Sequence, residues 1–340
     1  MTRTILLPLA LLALGCNPDT DKDEGDTTDT DLDTDSGDTD SGDTDDTNVA
    51  CETTVSSVSV EDGAVDVYYR GSITVSFDGD AASDGATFTL VDATGAAVPF
   101  QTTWAEGNVM ATLDMVGTPA SAHTLSVSLC DVMTVVGFTT SGTGSPLTID
   151  PAELVGDTFV FSFAQSTIVD PPFLDLLKGR FLTAPILLGV TSVDATNIDI
   201  LGGLGTLNDR GEYRQLNLPT WDFPVADFAG QPYFQASTDV ITIMYGDVAI
   251  PVHDFAFSGT FRADGSAIEE ATAGGFCDTR YMGPALGQPD NPNAVCDFAE
   301  AAGIPCLPCA DGEVYCVNVW AVDITAELVD GLTLVEVLDE

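Results

Sequence analysis

From Val49 onward the chain is written in short alternating runs separated by Gly and Asp turns, a pattern that admits little besides β-structure. The first runs are Val55 to Val60, Ser72 to Phe77, Thr87 to Val91, Ala97 to Trp104, Val109 to Leu113, Thr124 to Cys130 and Val132 to Thr139. Asp62-Gly63, Asp92 to Gly95 and Glu106 to Asn108 punctuate them. Short strands at this density over residues 51–143 predict a β-sandwich. Gly142 to Pro146 then reads as a linker.

Residues 146–340 continue the pattern. Thr158 to Ala164 places Phe159, Phe161 and Phe163 on one face. Pro172 to Arg180, with Phe173, Leu174, Leu176 and Leu177, predicts a short amphipathic helix. Ile186 to Val193 and Ile198 to Leu201 follow as strands. Val240 to Tyr245 and Val248 to Phe261 predict a hairpin turning at Gly246-Asp247, with Phe255, Phe257 and Phe261 sharing a face. After the turn Arg262 to Ser266 come Ala267 to Ala271 and Val317 to Leu328. The last run sets Trp320, Val322, Ile324, Ala326 and Leu328 on one face, and Leu332 to Val337 closes the series. Few helices are available to cover such a sheet, so it must curl on itself or face a second sheet. The fold class expected is therefore all-β in the main: a β-sandwich plus a larger antiparallel β-rich domain with a small helical, disulfide-rich insert. The interior of the larger domain is either fully packed or holds a pocket for a small apolar ligand.

The insert spans residues 277–316 and carries Cys277, Cys296, Cys306, Cys309 and Cys316. Ala294 to Ala302 reads as its helix, stopped by Gly303. Cys306-Leu-Pro-Cys309 has dithiol spacing, but a turn at Ala310-Asp311-Gly312 follows it, and no βαβ unit surrounds it. A four-Cys zinc site is the other alternative. In an oxidising compartment, bridges among Cys296, Cys306, Cys309 and Cys316 are the expectation, with Cys277 left over.

The first sixteen residues read as an address. One charge, Arg3, precedes the apolar run Ile5 to Leu14, which is too short to span a bilayer. The run ends in Ala13-Leu14-Gly15-Cys16, which resembles a bacterial lipobox, although Ala13 stands where Leu is usual. The resemblance implies cleavage before Cys16 and a diacylglycerol thioether on it. A plain secretory signal with an incidental cysteine is the alternative, and both imply export. Asn17 is not the Asp that retains lipoproteins in the inner membrane of enterobacteria, so the outer membrane of a Gram-negative cell is the expected destination. Residues 17–48 then carry 14 acidic residues against the single Lys22, in repeats such as Asp33 to Gly37 and Asp38 to Gly42. Such a segment cannot offset its ordering entropy and is expected to be a disordered spacer. It makes no EF-type calcium loop, since counting from Asp31 places Gly37 seventh and no Glu follows in the spacer.

A resemblance accompanies this pattern. Glu61 to Val65, Ile73 to Phe77, Thr89 to Gly95 and His123 to Val127 are similar to the SbsA-type bacterial Ig-like domain, with Val60 where that family has Pro and His123 where it often has Tyr. The resemblance implies a spacer or adhesion module on an exported protein. Cys51 and Cys130 bracket the region, and a disulfide is the default there. Residues 146–340 resemble the β-rich domains of lipoproteins with Asp/Thr-rich leaders in myxobacteria-like genomes, which implies no activity.

The chain has 54 acidic and 9 basic residues, a net charge of −45. That balance excludes nucleic acid as a partner. With two histidines there is no three-His metal site, and neither a Gly-x-Ser-x-Gly elbow nor a P-loop occurs. His253 reads as a strand residue. Trp221, Asp222, Phe223 and Tyr233 line a pocket or sit in the core. No catalytic, metal or cofactor residue is assigned. The function expected is a non-catalytic, lipid-anchored envelope protein, attached to the membrane by its N-terminal lipid and displaying a binding or structural domain for a protein, glycan or apolar ligand. The alternative is an exported hydrolase with a carboxylate site in 146–340. Replacing Cys16 with Ser is expected to move the protein from the membrane to the soluble fraction and to remove the lipid mass from its N-terminus. A wild-type protein that is soluble with an unmodified N-terminus contradicts the lipobox reading.

Overall fold

The computed structural model describes residues 51–338 apart from 183, 246–247 and 302. The leader, Cys16, the acidic spacer and the turn Gly246-Asp247 lie outside the described residues. Ala50–Glu340 form one compact unit.

Its first part holds eight strands: β1 (Val55–Val58), β2 (Ala64–Val67), β3 (Ser72–Phe77), β4 (Thr87–Asp92), β5 (Phe100–Trp104), β6 (Met110–Met115), β7 (Ala122–Leu129) and β8 (Val132–Thr140). They form two four-stranded sheets, β1-β3-β6-β5 and β2-β8-β7-β4. Alternate residues from both sheets meet in one core, including Ile73, Val75, Leu113, Leu125, Val127 and Phe138. This is a β-sandwich. The runs missed β2, which is short and pairs in parallel with β8. They also began the fifth strand too early: Ala97 makes only an isolated bridge to Val91.

The second part holds β9 (Thr158–Phe161), β10 (Thr167–Asp170), α1 (Pro172–Phe181), β11 (Ile186–Val193), β12 (Asn197–Leu207), β13 (Tyr213–Gln215), β14 (Trp221–Asp227) and β15 (Tyr233–Tyr245). It continues with β16 (Val248–Phe261), β17 (Ala267–Asp278), a 3-10 segment Thr279–Leu286, α2 (Ala294–Ala301), β18 (Leu307–Pro308) and β19 (Val314–Leu328). Eleven strands form one sheet, with β10 and β18 on β19 and β13 on β12 as marginal additions. The remaining eight pair in chain order, and β19 returns to β9 through Glu327↔Val160 and Leu328↔Phe159. The sheet is a closed antiparallel up-and-down barrel. The expected curved sheet is closed, and the described residues are mainly β.

Bulges bend it shut. Asp254 on β16, Glu270 on β17 and Asp323 on β19 have φ of 49°, 50° and 56°, each where the pairing register shifts. An extra residue in one strand increases local twist and turns the following side chains to the other face. This corrects the expected face of the last run. Val317, Val319 and Ala321 point inward, then the bulge at Asp323 hands the core to Ile324, Ala326 and Leu328. Trp320 and Val322 lie on the outer side, where β10 pairs with them through Asp170 and Thr167.

Eight strands leave an interior wide enough for side chains to fill. Phenylalanines fill one end. Phe261 meets Phe159, Phe228 and Phe234 at ring separations of 5.5, 5.9 and 5.2 Å, and Phe257 stacks on Phe161 at 5.5 Å. With rings inside and Thr, Asp and Glu outside, the alternation is the reverse of a lipid-spanning barrel.

Two runs differ from the reading of the sequence. β12 continues through Gly202, Gly203 and Gly205 instead of stopping at Leu201, because Gly202 lies against the rings of Trp221 and Phe223, where a Cβ would collide at 2.8 Å. Leu332 to Val337 is not a strand. It lies extended on the outside of the barrel, where Leu334 packs with Val160, Leu187 and Leu201, and Val335 bonds with the Gln215 side chain. Replacing Phe261, which is fully buried, with Ala is expected to cost about 3–5 kcal/mol in denaturant unfolding. Val240→Ala, on the exposed face of β15, is expected to change stability by less than about 0.5 kcal/mol.

Candidate functional site

Opposite the phenylalanine-packed end, the barrel core is incomplete. An apolar slot of about 60 Å³ lies among Ile243, Val252, Phe255, Cys277 and Val317 of the strands and Phe173 of α1. Gly274 and Gly275 on β17 also line it; a Cβ on Gly275 would press on the His253 carbonyl at 2.6 Å. One charged side chain, Lys178, reaches the lining.

The slot is covered by helices pinned at several points. Lys178 Nζ donates to Asp175 Oδ1 at 2.6 Å and to the Ser166 carbonyl, and Asp175 accepts the Ile168 amide at 2.8 Å. The Lys178 hydrogen bond, helped by that amide, holds the Asp175 carboxyl below the usual carboxylate range. α1 is thereby tied to β10. Phe173 meets Phe298 of α2 edge-on at 5.3 Å. Cys296 and Cys306 are bridged with Cα atoms 5.6 Å apart, and Cys309 and Cys316 with Cα atoms 5.1 Å apart. These two bridges anchor α2 and the loop after it onto β19. Leu176 of α1 is 87% exposed and Phe298 is 48% exposed, so the cover itself presents apolar groups to solvent.

A second, larger concavity of about 580 Å³ lies between the sandwich and the barrel. Tyr68, Arg70, Gln101 and Asp114 face it from the sandwich, and Tyr233, Ser258, Glu270 and Thr272 from the barrel. Tyr68 Oη bonds Thr260 Oγ1 at 2.6 Å, and the Arg70 guanidinium lies 3.9 Å from the Tyr233 ring centre. Thr143 donates to Glu269 at 3.0 Å. In the expected linker, Gly144 has φ 95° and packs on the Tyr69 ring, where a side chain would not fit. Burial, chiefly, and then Asp323 and Glu269 push the Glu270 carboxyl above the usual range, even though the residue is exposed along part of its length.

The residues singled out from the sequence fall as follows. Cys51 and Cys130 are bridged, with Cα atoms 5.6 Å apart. Asp84 lies with them as a group of three metal-type donors, but both sulfurs are spent in the bridge. Cys306-Leu-Pro-Cys309 is not a dithiol, because its two cysteines belong to different disulfides and Leu307-Pro308 pairs with β19. Trp221 and Phe223 are buried in the barrel core, Asp222 is exposed, and Tyr233 faces the interdomain cleft. His253 is half-buried in β16 between Val240 and Phe276. Among the described residues, the carboxyls raised by burial, Asp157 and Glu270, line different concavities. Arg70 and Glu270 were missed by the sequence reading: each looks like an ordinary surface charge until the two halves of the unit meet.

No family model matches this chain, and no curated protein matches it. Sixteen chains of known structure do match. One is the crystal structure of the Lin-41 filamin domain, 17% identical, covering 26% of this chain and 93% of that chain with a TM-score of 0.20. A likeness at that level carries no argument here.

Among the described residues Cys277 is the unpaired cysteine, buried on the wall of the slot. Burial, aided by Asp278, pushes its thiol up to about 12. Cys277 is therefore expected to resist a disulfide reagent at pH 8 in the native protein and to be labelled once the chain is unfolded without reductant, as peptide mapping reads. Rapid labelling of Cys277 in the native state contradicts its placement.

Proposed function

We propose that this chain is an exported, non-catalytic, lipid-anchored protein of the cell envelope, and that its barrel binds a narrow apolar chain in the slot beneath α1. The slot is the observation that carries the binding role. Its lining is apolar except at Lys178, and it sits at the helix-covered end of an eight-stranded barrel, where small ligands are commonly held. Its volume selects among ligands. An engineered protein cavity that lodges benzene measures roughly 150 Å³. A slot of about 60 Å³ takes the end of an alkyl chain more readily than a ring.

The apolar groups exposed on the cover, Leu176 and Phe298, suit an entry route for a ligand that avoids water. Export is supported by three disulfides, which persist in oxidising compartments. The lipid anchor rests on the Cys16 lipobox, and the sandwich is read as an Ig-like spacer that holds the barrel away from the membrane. The non-catalytic reading is favoured by the chemistry of the slot, where Lys178 is committed to Asp175 and the one thiol is held protonated.

Binding is tested with a fluorescent acyl chain and its displacement by dodecanol, using the full chain. Saturable binding is expected in the wild type. Ala273 is fully buried and lines the slot, so Ala273→Phe should fill it and weaken binding at least tenfold, about 1.4 kcal/mol, while near-UV circular dichroism keeps its native form. Absence of saturable binding, or equal binding by Ala273→Phe, contradicts the proposal.

A further inference from the structure

We propose that the cleft between sandwich and barrel is a second binding site, which takes a saccharide bearing a single carboxylate, with Arg70 as the group that receives the acid.

Arg70 is the reason. In a chain with nine basic residues and a net charge of −45, a cation has no shortage of carboxylates. Lys178, Arg214, Arg262 and Arg280 each face one within 4.0 Å. Arg210 is exposed to water. Arg70 differs from all of them. Its side chain makes no hydrogen bond or ion pair with any described residue, and its Nε is buried without a partner. A guanidinium is always charged, and leaving a buried donor unpaired carries a desolvation penalty. The planar group is nonetheless held in one place, 3.9 Å from the Tyr233 ring centre and 5.6 Å from that of Tyr69. With Nε closed off, an acceptor from outside the chain meets the Nη donors, which have no partner among the described residues, on a guanidinium held in place, and a carboxylate matches that group.

The rest of the cleft narrows the class. Its volume of about 580 Å³ falls in the range of small-ligand sites, roughly 300–1,000 Å³. The walls alternate apolar and polar groups, as a sugar does. Phe100 and Val116 offer apolar faces. Gln101 offers an amide. Glu270, and the Asp114 oxygen not taken by Ser72, offer acceptors for hydroxyl groups. A polyanion is disfavoured by the charge of the whole chain and by Asp114 and Glu270 in the cleft itself, so a ligand with a single acid group, set against Arg70, is the form that fits. No residue lines both sites: on β17, Thr272 faces this cleft and its neighbour Ala273 faces the slot, on opposite faces of the barrel wall. The cleft therefore stands or falls apart from the alkyl-chain reading.

The test is titration of the full chain in 150 mM salt with sodium glucuronate, glucose and sodium acetate. It is read by calorimetry and by the Nε–Hε NMR resonance of Arg70. Glucuronate is expected to saturate and to shift that resonance, with glucose and acetate at least tenfold weaker. Arg70→Met keeps the stacking bulk and removes the donors, and it should abolish glucuronate binding. Gln101→Ala, on exposed β5 and away from the Arg70–Tyr233 stack, should weaken it threefold to tenfold with unchanged thermal stability, so the outcome does not rest on Arg70→Met folding normally. Failure of glucuronate to saturate overturns the site. Acetate binding as tightly as glucuronate overturns the saccharide class, and unaltered binding by Arg70→Met overturns the role of Arg70.

Discussion

Glu327 and Leu328 pair with Val160 and Phe159, and through those rungs an open sheet loses both of its edges. Much else in residues 146–340 depends on that closure. A sheet with free edges leaves rows of unpaired amides and carbonyls, whereas a barrel satisfies them within itself. Closure also defines an inside, and eight strands give one that side chains alone can fill. Phe159, Phe228, Phe234, Phe257 and Phe261 do so at the end nearer the sandwich. Towards the other end Ile, Val, Ala and Gly replace most of the rings, Phe163 and Phe255 apart, and the slot is what is left over. The site is a consequence of how far the large residues reach along the barrel axis.

Closing the sheet required bending it, and the residues at the bends belong to the acidic excess. Asp254, Glu270 and Asp323 hold left-handed or near-left-handed backbone at bulges, a conformation that Asp tolerates better than most residues. Other aspartates organise turns. Asp194 accepts the amides of Thr196 and Asn197, Asp264 that of Ser266, and Asp311 that of Glu313. These bonds hold each carboxyl below its usual range, the Thr196 amide first for Asp194, the Ser266 hydroxyl for Asp264 and the Glu313 amide for Asp311. A lowered native pKa contributes stability above the ordinary carboxylate range and loses it as pH falls through the lowered value. Part of the charge that makes the chain so acidic is thus committed to its turns.

The same charge gives Arg70 its meaning. In a neutral protein an unpaired arginine between two domains would attract little notice. Here the other described basic side chains are paired or solvated, and Arg70, half-buried without a partner, lies in a mixed-polarity cleft between the two halves. Glu270 reaches that space because the bulge on β17 places Glu269 and Glu270 in succession on the outer side, the first towards Arg262 and the second towards the cleft. The bulges that shape the barrel therefore also furnish its outer wall.

The sequence by itself determined the class of structure and much of its stapling. Alternation with a period of two, broken by Gly and Asp turns, can bury one face only as sheet, so the β fold was legible along with the helices α1 and α2. The spacing of Cys51 and Cys130 and the surplus of one cysteine were legible too, because pairing in an oxidising compartment is arithmetic. Which of Cys296, Cys306, Cys309 and Cys316 joined which was not, since the distances are set by how α2 and β19 pack. Nor were the faces of Trp320 and Val322, because one bulge residue reverses every side chain beyond it, and bulges are decided by the curvature of the whole sheet. Barrel closure, the slot and the Arg70 cleft were decided by tertiary structure alone. Each joins residues far apart in the chain, such as Val160 with Glu327 and Arg70 with Tyr233, whose meeting no local pattern encodes.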